Sequence, residues 1–60
     1  MEKLRTFREE CHLTQEELSE KSGISRVTIS MLENGKQTAV KSTTIVKLAD
    51  ALKRKPKDFF

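Results

Sequence analysis

Cys11 and His12 are the residues whose types could do covalent chemistry, since a thiol beside an imidazole can form a nucleophile and its base. Such a pair needs its reactive atoms within hydrogen-bonding reach. Side chains of adjacent helical residues point about 100° apart, so these two cannot meet. We therefore expect no enzyme and no catalytic residue. We expect Cys11 to share a buried helix face with Leu4 and Phe7, and His12 to end that helix.

The same two residues are the only cysteine and histidine in the chain, too few for a disulfide framework or a structural zinc site. We expect no metal, no cofactor and no small-molecule ligand. No apolar run approaches the roughly 18 residues that cross a bilayer, and Met1-Glu2-Lys3-Leu4-Arg5 lacks the apolar segment of a signal peptide. The sequence predicts one domain over residues 1–60, cytoplasmic and without a membrane partner.

Charge is divided unevenly along the chain, although the net charge is only +3. Residues 1–23 contain four Lys or Arg and six Asp or Glu, whereas residues 24–60 contain eight and three. A basic half favours a polyanionic partner. Charge alone leaves open the alternative that this half is simply a well-solvated surface.

The elements that position these residues are predicted to be helices, because capping residues, glycines and a proline divide the chain and no segment alternates as a strand would. We predict an all-α fold of five helices. Helix 1 covers about residues 2–11, helix 2 about 14–22 and helix 3 about 25–34, a fourth is capped by Ser42, and Pro56 begins a short fifth. The predicted core comprises Leu4, Phe7, Cys11, Leu18, Ile29, Leu32, Ile45, Leu48, Ala49, Leu52 and Phe59.

Helices 2 and 3 are separated by a short turn. Thr14 and Glu17 form a T-x-x-E capping box at the start of helix 2. Gly23 suits the left-handed position that ends this helix, and Ser25 can cap helix 3, which Gly35 closes. Two helices joined by three or four residues that include glycine are the helix-turn-helix unit.

Several blocks of sequence occur in the order typical of one family. They are Leu13-Thr14-Gln15-Glu16-Glu17-Leu18, Gly23-Ile24-Ser25-Arg26, Thr28-Ile29-Ser30, Leu32-Glu33-Asn34-Gly35-Lys36, Lys47-Leu48-Ala49-Asp50-Ala51-Leu52 and Pro56-Lys57-Asp58-Phe59-Phe60. With these blocks the chain resembles the lambda-repressor-like helix-turn-helix family (phage Cro and repressor, XRE type). The resemblance implies a compact five-helix DNA-binding domain. In it, helix 2 crosses the DNA backbone and helix 3, the recognition helix, enters the major groove.

The resemblance implies that the recognition helix reaches base edges. The implied base contacts are Arg26, Val27, Thr28, Ser30 and Met31. A guanidinium can bind guanine O6 and N7 together, although Arg26 could instead bind a phosphate. Val27 and Met31 could contact thymine methyl groups; the alternative places them in the core, where Ile29 and Leu32 already supply the inward face.

The resemblance also implies contacts to DNA phosphates. They are Gln15, Ser25, Asn34, Lys36 and Lys41, with the backbone amides around Gly35. The amide of Gln15 can donate to phosphate at the N-terminus of helix 2, or the residue is simply suited to a first turn. Ser25 is a cap first, and Lys41 could equally be a solvated loop charge. Such contacts fix the register on DNA without reading its sequence.

Two features near the ends of helices need a structural explanation. Glu33 is an acid on a helix that would enter a polyanion, and the resemblance implies a structural ion pair with Arg8. Lys53-Arg54-Lys55 departs from the glycine-apolar-serine connection of the family. Either the stem of Arg54 covers the core, or this end is looser and forms an additional basic patch with Lys57.

These observations favour a sequence-specific regulator of transcription, a repressor of phage or bacterial origin that binds a two-fold operator in double-stranded DNA as a homodimer. The alternative is a protein-binding module, such as a toxin–antitoxin partner or an adaptor, because fold alone does not establish function. An exposed Phe59-Phe60 pair would be its contact surface.

Overall fold

Four α-helices and a closing 3₁₀ turn form the architecture of the computed structural model, which describes residues 1–37 and 39–59. Helix α1 spans Glu2–Glu10, α2 spans Gln15–Ser22, α3 spans Arg26–Glu33, α4 spans Ser42–Ala51, and the 3₁₀ turn spans Pro56–Phe59. No strand occurs in the described ranges, which confirms the all-helical prediction. None of the helices there is long and apolar enough to cross a membrane.

The fifth predicted helix begins at Pro56, as expected, but it is a 3₁₀ turn and not an α-helix. The last element has four residues and begins with a proline, which cannot donate a backbone hydrogen bond. The bond that forms is the amide of Asp58 donating to the carbonyl of Lys55 at 2.9 Å, three residues back along the chain. This spacing is that of a 3₁₀ turn.

Side-chain caps begin α2 and α3. The capping box is confirmed, since the amide of Glu17 donates to Thr14 Oγ1 at 3.0 Å and the amide of Thr14 donates to Glu17 Oε1 at 2.9 Å. Ser25 accepts from the amide of Thr28 at 3.2 Å. The prediction that Ser42 caps α4 is wrong, because the extended residue before that helix is Lys41, which provides no side-chain cap. Ser42 is already helical.

Left-handed residues end the helices, and two of them are not glycine. Gly23 and Gly35 have φ angles of 76° and 72°, whereas His12 has 58° and Lys53 has 57°. At Lys53 the backbone forms a Schellman motif, in which the amide of Arg54 donates to the carbonyl of Ala49 at 2.8 Å. A side chain at such a φ costs about 1–2 kcal/mol. The glycine that the family resemblance implies at position 53 therefore has a physical reason.

The core is apolar and draws on every helix and the 3₁₀ turn. Its buried members are Leu4, Leu18, Ile29, Leu32, Leu48, Ala49, Leu52 and Phe59, with Phe7 and Ile45 half-buried beside them. Phe59 packs edge-on against Phe7 with ring centroids 5.1 Å apart. The placement of Cys11 in the core is wrong: α1 ends at Glu10, and the chain turns at His12, so Cys11 lies beyond the helix face that it was expected to extend and is exposed.

Candidate nucleic-acid interface

Helix α3 has one face packed against the rest of the fold and the opposite face exposed to solvent. It packs against both α1 and α2, and its inward residues Ile29 and Leu32 are fully buried. Val27 and Met31 lie on the outer face, with 65% and 36% of their surfaces exposed. The core alternative for these two residues is therefore excluded. Part of each apolar side chain is therefore left for contact with an external partner.

Arg26 is the first residue of α3 and is exposed. In the part of the chain that the structure describes, the salt bridges are formed by Arg5, Arg8 and Arg54, and Arg26 has none. Its guanidinium is therefore available for an external partner. The exposed residues of the first two turns of α3 thus combine a free cation with apolar side chains.

The two hydroxyl residues implied as base contacts, Thr28 and Ser30, are half-buried and already have partners. Thr28 Oγ1 accepts from Ser25 Oγ at 2.8 Å, and Ser30 Oγ accepts from Asn34 Nδ2 at 3.4 Å. Both retain a hydroxyl proton that could be donated elsewhere. The proton of Ser25 is directed to Thr28, so a phosphate contact by Ser25 requires its hydroxyl to rotate.

Glu33 is the centre of a buried polar cluster that connects α1 and α2 to α3. Its carboxylate accepts from Arg8 Nε at 2.7 Å, Arg8 Nη2 at 3.1 Å, Gln15 Nε2 at 3.2 Å and Arg5 Nε at 3.3 Å. The side chain of Glu33 is 0% exposed and that of Arg8 is 13% exposed. We call these four residues the Glu33 cluster. The cluster fixes α3 from behind by charge-assisted hydrogen bonds.

Electrostatics within the Glu33 cluster favour the ionised pair. Burial raises the pKa of Glu33, but hydrogen bonds from Arg8, Gln15 and Arg5 outweigh it and hold the pKa below its usual value. The hydrogen bond to Glu33 in turn raises the pKa of Arg8. The acid at the end of α3 is thus neutralised within the fold, and it presents no free negative charge to a polyanion.

Sequence reasoning missed Arg5. This residue lies on α1 three positions before Arg8, and on a helix that spacing puts both arginines on the same face. Arg5 donates to Glu33 and, through Nη2, to Asn34 Oδ1 at 3.1 Å. The spacing of the two arginines was the available signal. Nothing in the sequence indicates that one acid would accept from both.

The residues after α3 are exposed cations and amides, as expected, but the backbone there is not free. Asn34, Lys36 and Lys41 are exposed. The backbone amides around Gly35 donate to carbonyls of α3: Gly35 to Leu32 at 3.3 Å and Lys36 to Met31 at 2.9 Å. These bonds form a Schellman motif. Within the fold these amides are therefore already paired, and the side chains of Asn34 and Lys36 are the donors left for the implied phosphate contacts.

One residue of the basic segment after α4, Arg54, packs against the rest of the fold. The guanidinium of Arg54 lies 4.4 Å from the centre of the Phe7 ring, and its Nη2 donates to Glu10 at 2.7 Å. The side chain thus covers the core edge, which is the first of the two alternatives for this segment. Lys53, Lys55 and Lys57 remain exposed.

The exposed Phe59-Phe60 pair was the feature that favoured a protein-binding module. Phe59 is only 5% exposed and belongs to the core, so the expected exposed pair of phenylalanines does not form. Phe60 lies outside the described residues. The alternative function has no other support in the described part of the chain.

A capped helix pair with a three-residue turn, an outward-facing second helix and a polar cluster behind it define a helix-turn-helix protein. A family model described as "Helix-turn-helix" matches residues 4–59. The chain belongs to the helix-turn-helix family, and its resemblance to the lambda-repressor-like, XRE-type branch is confirmed.

Two curated relatives from Bacillus subtilis (strain 168) are named as regulators of transcription. The chain is 52% identical over 52 residues to the HTH-type transcriptional repressor RghR, an alignment that covers 87% of this chain and 38% of that protein. It is 48% identical over 52 residues to the uncharacterized HTH-type transcriptional regulator RghRB, covering 87% and 37%. The chain thus spans less than two fifths of the length of each relative. No solved structure matches it.

Proposed function

We propose that this chain binds double-stranded DNA sequence-specifically and regulates transcription as a repressor, with α3 in the major groove. The observation that carries the proposal is the outer face of α3. There Arg26 forms no salt bridge among the described residues and Val27 and Met31 are exposed, while the Glu33 cluster holds the inner side of the helix. The names of the two relatives support the same function. A regulator of this kind works in the compartment that holds DNA, which in a bacterium is the cytoplasm.

Sequence would be read by three side chains of α3. Arg26 can bind both acceptors of a guanine, and the methyl groups of Val27 and Met31 can pack on thymine methyl groups. Thr28 and Ser30 flank these contacts, and each hydroxyl accepts a hydrogen bond and keeps a proton that it can donate. Discrimination of about 1–3 kcal/mol for each well-formed bidentate contact is enough to select one base pair.

Phosphate contacts would fix the register. The side chains proposed for this role are Gln15, Ser25, Asn34, Lys36 and Lys41. Gln15 uses one amide proton on Glu33, and the second proton remains for a phosphate at the N-terminus of α2. Lys36 and Lys41 form no salt bridge among the described residues. These contacts supply affinity for any sequence.

Binding as a homodimer on a two-fold operator fits the size of the molecule. Recognition helices of such dimers lie about 34 Å apart, one turn of DNA. The Cα extents of this chain are 25 × 22 × 19 Å. Two copies therefore fit side by side on one face of the duplex without overlap.

Selection from a pool of random duplexes tests the proposal. Wild-type protein is expected to enrich one motif, whose half-site spacing reports the dimer. Arg26→Ala should weaken binding by about 1–3 kcal/mol and relax one base position, whereas Lys36→Ala should weaken all duplexes alike. Lys57→Ala is the matched control, since it removes the same charge from the 3₁₀ turn. Unchanged binding by both the Arg26 and the Lys36 variants would refute the assignment.

A further inference from the structure

Two arginines of α1 bind the same carboxylate but differ in how many of their hydrogen-bond donors remain unused. Arg8 is almost buried, and all its guanidinium nitrogens donate within the fold: Nε and Nη2 to Glu33, and Nη1 to the carbonyl of Leu13 at 2.7 Å. Arg5 is 51% exposed and uses Nε on Glu33 and Nη2 on Asn34. Its Nη1 has no hydrogen-bond partner in residues 1–37 and 39–59. Arg5 therefore retains donors that face solvent.

Glu33 has a stronger partner than Arg5. One carboxylate, that of Glu33, faces two guanidinium groups, and Arg8 neutralises it at the shorter distance of 2.7 Å against 3.3 Å for Arg5. Glu9 lies near enough to raise the pKa of Arg8. It is exposed and forms no salt bridge with either arginine among the described residues. Arg5 is therefore a partly exposed guanidinium that is not the main partner of Glu33.

The position of the Arg5 guanidinium is set in part by Asn34, a residue of the proposed interface. Arg5 donates to Oδ1 of Asn34, and Asn34 Nδ2 donates to Ser30 Oγ on α3. Asn34 is thereby oriented with its amide group toward α3 rather than rotating freely. A guanidinium held on two acceptors is pre-organised to bind an oxyanion with the donors that remain.

We propose that Arg5 is a further DNA-backbone contact, a guanidinium held by Glu33 and Asn34 that binds a phosphate beside the end of the recognition helix. This inference rests on the proposed DNA binding. It gives α1 a direct part in the interface, whereas the family resemblance assigns this helix only the Arg8–Glu33 pair. Arg5 contributes affinity and register, and it does not read bases.

The test is the salt dependence of binding to labelled duplexes, one of the selected sequence and one of mixed sequence. Each phosphate contact contributes about 0.9 to the slope of log K against log salt concentration. Arg5→Ala is expected to lower the slope by about 0.9, equivalent to ~8-fold weaker binding near 0.1 M salt. The loss should be the same on both duplexes. Arg5→Lys keeps the charge and is expected to keep the wild-type slope.

Arg54→Ala is the matched control, because it also removes an exposed arginine paired with an acid of α1, here Glu10. Its slope is expected to equal that of the wild type. Far-ultraviolet circular dichroism verifies that each variant is folded at the binding temperature. An unchanged slope in Arg5→Ala, or an equal reduction in Arg54→Ala or Arg5→Lys, overturns the role of Arg5 while DNA binding stands. Failure of the wild type to bind either duplex overturns both proposals.

Discussion

Substitution of Glu33 by glutamine is expected to destabilise the fold far more than the loss of an ordinary ion pair. The change keeps the size of the side chain but replaces one accepting oxygen by an NH2 group, which faces donors of Arg8, Gln15 and Arg5. The carboxylate is fully buried and Arg8 nearly so. Removing one partner of a buried pair costs about 3–5 kcal/mol, because it leaves the other charge uncompensated.

That cost is large against the stability of so short a chain. At about 0.05–0.15 kcal/mol per residue, a domain of this length has a free energy of unfolding of roughly 3–9 kcal/mol. For a small domain, each kcal/mol lowers Tm by about 4–8 °C. Glu33→Gln should therefore lower Tm by at least about 12 °C, measured by thermal unfolding followed by circular dichroism.

Glu10→Gln provides the matched control. Glu10 also accepts from an arginine at 2.7 Å, but its side chain is 54% exposed and that of Arg54 is 39% exposed. Exposed pairs contribute about 0–1 kcal/mol, so Tm should change little. The double variant Arg8→Met with Glu33→Leu should recover much of the lost stability, because it removes both buried charges. A loss in Glu33→Gln as small as that in Glu10→Gln would refute the reasoning.

Two further predictions concern pH and backbone strain. The folded-state pKa of Glu33 is lowered, so its contribution to stability is present above the unfolded value of about 4.3 and is lost as pH falls through the folded value. Urea unfolding of the wild type should show this decline below about pH 4.3, and a decline of equal size in Glu33→Gln would contradict it. Lys53→Gly should raise stability by about 0.5–1 kcal/mol, since relief of the left-handed strain exceeds the added entropy of an unfolded glycine. A lower Tm for this variant would show that Lys53 carries no strain.

Local signals in the sequence were sufficient to predict most of the helices. Thr14, Glu17 and Ser25 act within three residues of their own positions, so the starts of α2 and α3 follow from short-range chemistry. Periodic apolar residues such as Ile29 and Leu32 likewise identify their own inward face. These features require no knowledge of the tertiary fold.

What the sequence does not reveal depends on residues that are distant along the chain. Arg5 and Glu33 are separated by the whole of α2, and apart from the spacing of Arg5 and Arg8 nothing local indicates that Arg5 binds Glu33 and Asn34. Cys11 fits the period of α1, but the helix ends at Glu10, and the chain turns at His12, a left-handed residue that is not a glycine. The contact of the Arg54 guanidinium with the Phe7 ring forms only when packing brings the two residues together. The partners of Arg5 and the packing of Arg54 depend on tertiary contacts that composition and periodicity do not encode.

Titration of isotopically labelled protein with the selected duplex, followed by NMR of the backbone amides, decides whether α3 is the DNA-binding face. The expected result is that the large shift changes fall on Arg26–Met31, on the start of α2 at Gln15, on residues 34–36 after α3, and at Arg5. The 3₁₀ turn at Pro56–Phe59 should show little change. Shift changes concentrated on α4 and the 3₁₀ turn, with α3 unaffected, would contradict DNA reading by α3.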